Sequence, residues 1–187
     1  MIDLQKGSGK MELTKSLWID KDKELFLSYL ETFELKDKID WTRKILNTHL
    51  RLMAIPSKTL DQIAKAILKG NYQSFLDLYI FDTYESIVIY GKILTKIPDF
   101  DLMLHYLTIY KDVMENWAHV DILSFNINHK NQQKFIELSK IYLQSPKPFI
   151  RRLSLMILFQ MVKDKEVLPI IFRTLESLTE EKEYYVI

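Results

Sequence analysis

The fold class is decided by one stretch of sequence, Ser57-Lys58-Thr59-Leu60-Asp61-Gln62-Ile63-Ala64-Lys65-Ala66-Ile67-Leu68-Lys69-Gly70. Its apolar residues recur three and four positions apart, which places them on one face of an amphipathic α-helix: Leu60, Ile63, Ala64, Ile67 and Leu68. The Ser57 side chain is expected to cap this helix by accepting an amide hydrogen, and Gly70 to end it. The stretch therefore predicts a helix between these two residues.

The same periodicity continues on both sides of this stretch. A helix is expected from residue 21, with a stripe formed by Phe26, Leu30 and Phe33 and widened by Leu25 and Tyr29. A second is expected from about residue 39 to the break at Pro56, with a stripe formed by Trp41, Ile45, Leu46 and Leu52. Seven more are expected at 72–81, 83–96, 99–115, 117–127, 130–143, 148–162 and 166–178.

The composition agrees with a single all-helical domain. The chain has 187 residues but only four Gly and five Pro, so the frequent turns of an all-β domain are not encoded. We expect a flexible lead over residues 1–20 and one all-α domain over residues 21–187. Alternate helices are expected to start 27 and 31 residues apart, at Tyr72, Asp99 and Lys130, which favours a stack of helix pairs over a globular bundle.

The composition also excludes several classes of function. The absence of Cys removes thiol catalysis, disulfide scaffolds and Cys-ligated zinc, and fits a reducing compartment. No two of the four His residues are placed to hold a metal on one helix, so neither a metal nor a cofactor is predicted. No secretion signal or apolar run long enough to cross a membrane is visible, so we expect a cytoplasmic protein.

A candidate binding surface lies between residues 115 and 152. The net charge of the whole chain is +1, but this segment has six basic side chains against three acidic ones: Lys130, Lys134, Lys140, Lys147, Arg151 and Arg152 against Glu115, Asp121 and Glu137. Solvated helix faces would explain these charges as well. The four-residue spacing of Trp117 and Asp121 puts an indole and a carboxylate on one helical face, where a core Trp beside a surface Asp is the ordinary interpretation.

Taken together and in this order, several segments resemble the AlkD family of alkylpurine DNA glycosylases, which are DNA alkylation repair enzymes built from HEAT-like repeats. Trp117-Ala118-His119-Val120-Asp121 is similar to the family's Trp and catalytic Asp pair. Met53-Ala54-Ile55-Pro56-Ser57 is similar to its early turn into a helix, although the family usually has Gly where Ala54 stands. Two more segments resemble the openings of later helices of the family: Phe149-Ile150-Arg151-Arg152 and Glu183-Tyr184-Tyr185-Val186.

The resemblance implies a fold and an activity. The fold would be a right-handed stack of antiparallel helix pairs, a HEAT-like solenoid with a concave face. The activity would be excision of positively charged N3- or N7-alkylated purines from duplex DNA, without a metal or cofactor. Asp121 and Trp117 would act at the sugar, and the DNA backbone would be bound by Arg151, Arg152, Lys130 and Lys147. Since adjacent residues of a helix point about 100° apart, at most one of the two arginines is expected to face a given ligand squarely.

In the family, the helix that opens with the Tyr-Tyr-Val pattern continues to a second Trp and is followed by further helices. This sequence contains neither, so we expect a shortened member that exposes apolar surface on its last helix pair. The alternative is a non-catalytic HEAT-like scaffold that binds DNA or a protein partner through the same concave face.

Overall fold

A computed structural model describes residues 11–186 of the chain. Its α-helices are α1 (Asp22–Glu31), α2 (Ile39–Leu46), α3 (Ser57–Ile67), α4 (Tyr72–Leu76), α5 (Tyr84–Leu94), α6 (Phe100–Val113), α7 (Trp117–Asp121), α8 (Gln132–Leu143), α9 (Pro148–Phe159) and α10 (Leu168–Glu176). A 3-10 turn, Lys36–Lys38, precedes α2. The described residues contain no β-strand, only an isolated bridge between Arg51 and Thr83. The predicted all-α class is confirmed, and each predicted range contains a helix.

Polar side chains fix the start of several helices. The side chains of four residues accept amide hydrogens from the first turns of α4, α5, α6 and α7: Asn71, Thr83, Asp99 and Asn116. The predicted cap at Ser57 is wrong, because Ser57 is itself the first residue of α3 and its side chain makes no capping bond. Pro56, with an extended ψ of 136°, is the residue before that helix.

Gly70 is required by close packing. A Cβ atom added to Gly70 would lie 2.6 Å from the carbonyl oxygen of Lys15. The amide of Asn71 donates to that same carbonyl at 2.8 Å. Residues 11–20 therefore pack against the end of α3, and they bury Leu13 and Trp18 in the core. The packed part of the chain thus begins before the predicted boundary at residue 21, while residues 1–10 of the predicted lead lie outside the described residues.

Helix α5 lies at the centre of the core. It contacts α3, α4, α6 and α7, and nearly all of its side chains are buried, including Ile87, Ile89 and Tyr90. Helix α9 packs along α8 and also contacts α7. Helices α7 and α9 thereby lie side by side, which brings Arg152 of α9 next to Asp121 of α7.

Helix α2 departs from the predicted pattern. It ends at Leu46, well before Pro56, because Asn47 takes a left-handed conformation with φ of 50°. Trp41 and Ile45, which we expected in a buried stripe, are 67% and 45% exposed. The α2 helix therefore turns an apolar face to solvent.

The last two helices also expose large apolar side chains. Phe159 of α9 and both Phe172 and Leu175 of α10 are exposed. None of the helices between residues 11 and 186 combines the length and the apolar character needed to cross a membrane.

Ala54 offers a test of the turn that precedes α3. Its φ of 54° lies in the left-handed region that disfavours residues with a Cβ atom. We expect Ala54→Gly to raise the free energy of unfolding by about 0.5 to 1 kcal/mol, measured by urea denaturation. The matched control is Ala66→Gly inside α3, which should lower that free energy by about 1 kcal/mol. Destabilisation by both changes would contradict this interpretation of the turn.

Candidate functional site

An open cleft of about 800 Å³ brings together side chains from distant parts of the sequence: Ile45, Trp117, Asp121, Arg152, Lys182, Tyr184 and Tyr185. Three of them, Trp117, Asp121 and Arg152, are predicted site residues. Helix α7 supplies the first two and α9 supplies the third. The cleft is therefore the candidate site, and its remaining walls come from the end of α2 and from residues 182–185.

Helix α7 places an aromatic ring and a carboxylate on the same wall. The Asn116 side chain fixes the start of this short helix by accepting from the amides of Ala118 and His119, at 3.0 and 3.1 Å. Trp117 and Asp121 are the first and last residues of the helix, and the three residues between them are buried. The four-residue spacing places both side chains on one side of the helix, as predicted, and both line the cleft.

Arg152 binds Asp121 through two hydrogen bonds. Its Nε atom donates to Oδ1 at 2.8 Å, and its second guanidinium nitrogen donates to Oδ2 at 2.7 Å. These hydrogen bonds raise the pKa of Arg152. Its remaining nitrogen donates to the carbonyl oxygen of Tyr185 at 2.8 Å. Both carboxylate oxygens of Asp121 are thus held by one guanidinium, in the bidentate geometry that arginine also uses to bind phosphate.

The neighbouring Arg151 points away from the cleft, as the angle between adjacent helical residues predicts. It donates to the two carboxylate oxygens of Glu181 at 2.7 and 3.0 Å, and this contact lowers the pKa of Glu181. It also donates to the carbonyl oxygens of Ser145 and Pro146, at 3.0 and 3.1 Å. Arg151 therefore links Glu181, in the segment 181–186 that follows α10, to the start of α9.

The predicted lysines lie outside the cleft. Lys130 is exposed, and Lys147, the residue just before α9, lies 3.3 Å from the carboxylate of Asp112. Most basic side chains of the segment 115–152 have a carboxylate partner, in pairs Lys134 with Asp101, Lys140 with Glu137, Lys147 with Asp112, Arg151 with Glu181 and Arg152 with Asp121. The predicted basic patch is therefore largely compensated, although the three lysine pairs are exposed and therefore weak.

The far wall of the cleft carries two tyrosines and a lysine. Tyr184 and Tyr185 contact each other edge to face, with ring centroids 5.3 Å apart, and Tyr185 packs on Phe149 of α9. Residues 184–186 form a turn here. Lys182 and Ile45 also line the cleft, and local sequence patterns did not single out either as a site residue. Aromatic rings thus flank the carboxylate from α7 on one side and from the C-terminal segment on the other.

The middle residue of α7, His119, is buried and packs this helix against α5 and α6. His119 is fully buried, its ring stacks on Tyr84 at 4.8 Å, and its Nδ1 accepts from the amide of Glu115 at 3.4 Å. Its carbonyl oxygen accepts from the hydroxyl of Tyr110 at 2.9 Å. Burial lowers the pKa of His119 to about 4, so the imidazole is neutral near pH 7. Over residues 11–186, no group of three or more His, Asp and Glu side chains could hold a metal ion.

Comparisons of the chain with family models, with curated proteins and with solved structures return no match. The fold and the site together define an all-helical protein with an open cleft that combines an indole, a carboxylate and a guanidinium.

Proposed function

We propose that this protein is an AlkD-like DNA glycosylase that excises positively charged N3- or N7-alkylated purines from duplex DNA. One observation carries the proposal: a single cleft contains the indole of Trp117, the carboxylate of Asp121 and the guanidinium of Arg152. The same proposal includes the arrangement of the helices: a right-handed HEAT-like stack of antiparallel helix pairs with a concave face.

The proposed reaction depends on charge at the sugar. Alkylation at N3 or N7 makes the purine a cation, and the bond from C1′ to the base breaks with both electrons going to the base. The base leaves as a neutral purine, and the sugar gains oxocarbenium character. Water then adds to C1′ and loses a proton, which leaves an abasic site. A fixed carboxylate that stabilises the developing positive charge contributes a factor of about 10² to 10³ in rate.

The cleft residues fit this chemistry. Asp121 would stabilise the sugar cation, and the face of Trp117 would pack on the deoxyribose. Arg152 would bind a phosphate of the damaged strand, since a guanidinium binds phosphate and carboxylate in the same bidentate manner. A phosphate bound there would compete with Asp121 and leave its oxygens open to the sugar. Further contacts to the DNA backbone would come from Lys182 at the cleft and from the predicted Lys130 and Lys147 outside it.

Base release from methylated duplex DNA tests the proposal directly. The protein is incubated with DNA that contains 7-methylguanine and 3-methyladenine, and free bases are separated by chromatography. We expect release of at least one of the two bases, and none from an undamaged duplex of the same sequence. Binding of methylated DNA without release of either base would overturn the catalytic proposal.

One observation favours a second candidate, a non-catalytic scaffold. Both oxygens of Asp121 accept hydrogen bonds from Arg152, so the negative charge that catalysis requires is compensated in this structure. A scaffold of this kind would bind DNA or a protein partner without breaking a bond. Affinity that falls as salt rises would indicate DNA, because bound phosphates release counterions. Affinity that is indifferent to salt would indicate a protein partner.

A further inference from the structure

Helix α2 presents an exposed apolar face beside the cleft. Trp41 and Ile45 are 67% and 45% exposed, and their four-residue spacing places them on the same side of the helix. Ile45 lines the cleft, and its carbonyl oxygen accepts a hydrogen bond from Nε1 of Trp117 at 3.4 Å. The exposed face of α2 is thus continuous with the wall that carries the indole.

Two lysines flank this face. At 100° per residue, Lys44 lies about 60° from Trp41 around α2, and Lys38 is the residue immediately before the helix, at the end of the 3-10 turn. Both are exposed, and neither forms an ion pair with any residue in the described part of the chain. Residues 36–44 contain four basic side chains against two acidic ones, Lys36, Lys38, Arg43 and Lys44 against Asp37 and Asp40. Residues 36–44 therefore carry a net charge of +2 next to the cleft, and their two exposed lysines lack the carboxylate partners that most basic side chains of segment 115–152 have.

We propose that the α2 face formed by Trp41, Ile45, Lys38 and Lys44 binds the sugar-phosphate backbone of duplex DNA beside the nucleotide in the cleft. This inference rests on the proposed function and adds a second contact surface to it. The rise along the helix from Trp41 to Ile45 is about 6 Å, and each base-pair step of DNA is about 3.4 Å. The two residues are therefore less than two base-pair steps apart. Trp41 therefore reaches the DNA that immediately flanks the nucleotide beside Ile45.

The side chains of this face suit the DNA backbone better than they suit a protein partner. The indole of Trp41 supplies a flat apolar surface for a deoxyribose, and the two lysines supply cations for the phosphates on either side. Lysine is depleted in the cores of protein–protein interfaces, whereas phosphate contacts depend on it. An exposed Trp between two lysines without ion-pair partners therefore indicates a polyanion.

The binding of a short, fluorescein-labelled, unmodified duplex tests the contribution of Trp41. Fluorescence anisotropy at low salt gives the Kd of the wild-type chain and its variants. We expect Trp41→Ala to raise the Kd roughly 10-fold, as truncation of a central aromatic contact does, and Trp41→Phe to recover most of the loss. The matched control is Phe172→Ala, because Phe172 is 60% exposed on α10 and should change the Kd by less than about 2-fold.

The salt dependence of the same Kd tests the two lysines. Each phosphate contact contributes about 0.9 to the slope of log Kd against log salt, so the double variant Lys38→Ala/Lys44→Ala should lower that slope by roughly 2. Lys65→Ala, an exposed position on α3, is the control and should leave the slope unchanged.

The outcomes separate this inference from the proposed function. Equal Kd values for the wild type and Trp41→Ala would overturn the inference, and base release by the same protein would leave the glycosylase proposal intact. A Kd that depends on Trp41, together with no base release, would support the α2 contact and overturn the catalytic proposal. Failure of the folded wild type to bind the duplex even at low salt would overturn both. Circular dichroism of each variant shows that it is folded.

Discussion

Replacement of Asp121 by Asn is expected to slow the release of 7-methylguanine from methylated duplex DNA by about 10² to 10³-fold. The Asn side chain has the same shape, and its carbonyl oxygen still accepts one hydrogen bond from Arg152. It lacks the negative charge that would stabilise the sugar cation. The single-turnover rate with excess protein isolates this effect, since it does not depend on product release.

Duplex binding distinguishes a loss of chemistry from a loss of structure. We expect Asp121→Asn to bind DNA at least as tightly as the wild type, because the change removes a negative charge near the phosphates and leaves Arg152 free of its ionic partner. Asp20→Asn is the matched control, because Asp20 is an exposed carboxylate that pairs with Lys23 and does not line the cleft. Equal rates for Asp121→Asn and the wild type would remove Asp121 from the mechanism.

The burial of His119 is expected to make the fold sensitive to acid. Its pKa is about 4 in the folded chain against 6.5 for an exposed histidine, so the unfolded chain binds more protons between these values. The contribution of His119 to the free energy of unfolding is therefore fully present above pH 6.5 and falls by about 1.4 kcal/mol per pH unit below it, or by about 3 kcal/mol at pH 4. Urea denaturation across this range, together with NMR titration of the imidazole, measures the effect.

The variant His119→Gln isolates this contribution. The Gln side chain can accept from the amide of Glu115 but does not titrate, so the difference in stability between the two proteins should narrow as the pH falls from 6.5 to 4. Burial raises the pKa of Glu85, and this carboxyl acts in the opposite direction, but it is present in both proteins and cancels in the difference. Titration of His119 near pH 6.5 would contradict the prediction.

Local chemistry explains why the helices could be predicted from sequence. The stripe in α3 repeats at three and four residues, and the Asn71, Thr83 and Asp99 caps stand immediately before the helices that they start. The end of α2 could not be predicted in this way. There, Arg43 donates to the carbonyl oxygens of Thr48 and Leu50, at 3.0 and 2.9 Å, and bends the chain after a left-handed Asn47. That turn depends on contacts that no apolar periodicity encodes.

Some contacts of the candidate site could likewise be predicted from the sequence, and others could not. Trp117 and Asp121 share a wall because they are one turn apart on a helix, which the spacing alone predicts. Which arginine faces them is not encoded locally: Arg151 pairs with Glu181, 30 residues away, and Arg152 pairs with Asp121, 31 residues away. Ile45 lies 72 residues from Trp117, and its place in the cleft follows from the packing of the whole domain. Contacts of this range leave no local signal in the sequence.

The far wall of the cleft has its own dependence on the surrounding solution. Residues 181–186 contain no helix, and they are held by Arg151 on Glu181, by Arg152 on the carbonyl oxygen of Tyr185 and by the buried Val186. Salt screens the ion pair of this wall only weakly, because the Arg151 and Glu181 side chains are 16% and 11% exposed. A phosphate bound in the open cleft would be screened more strongly. Ionic strength is therefore expected to change the charge of the cleft more than its width.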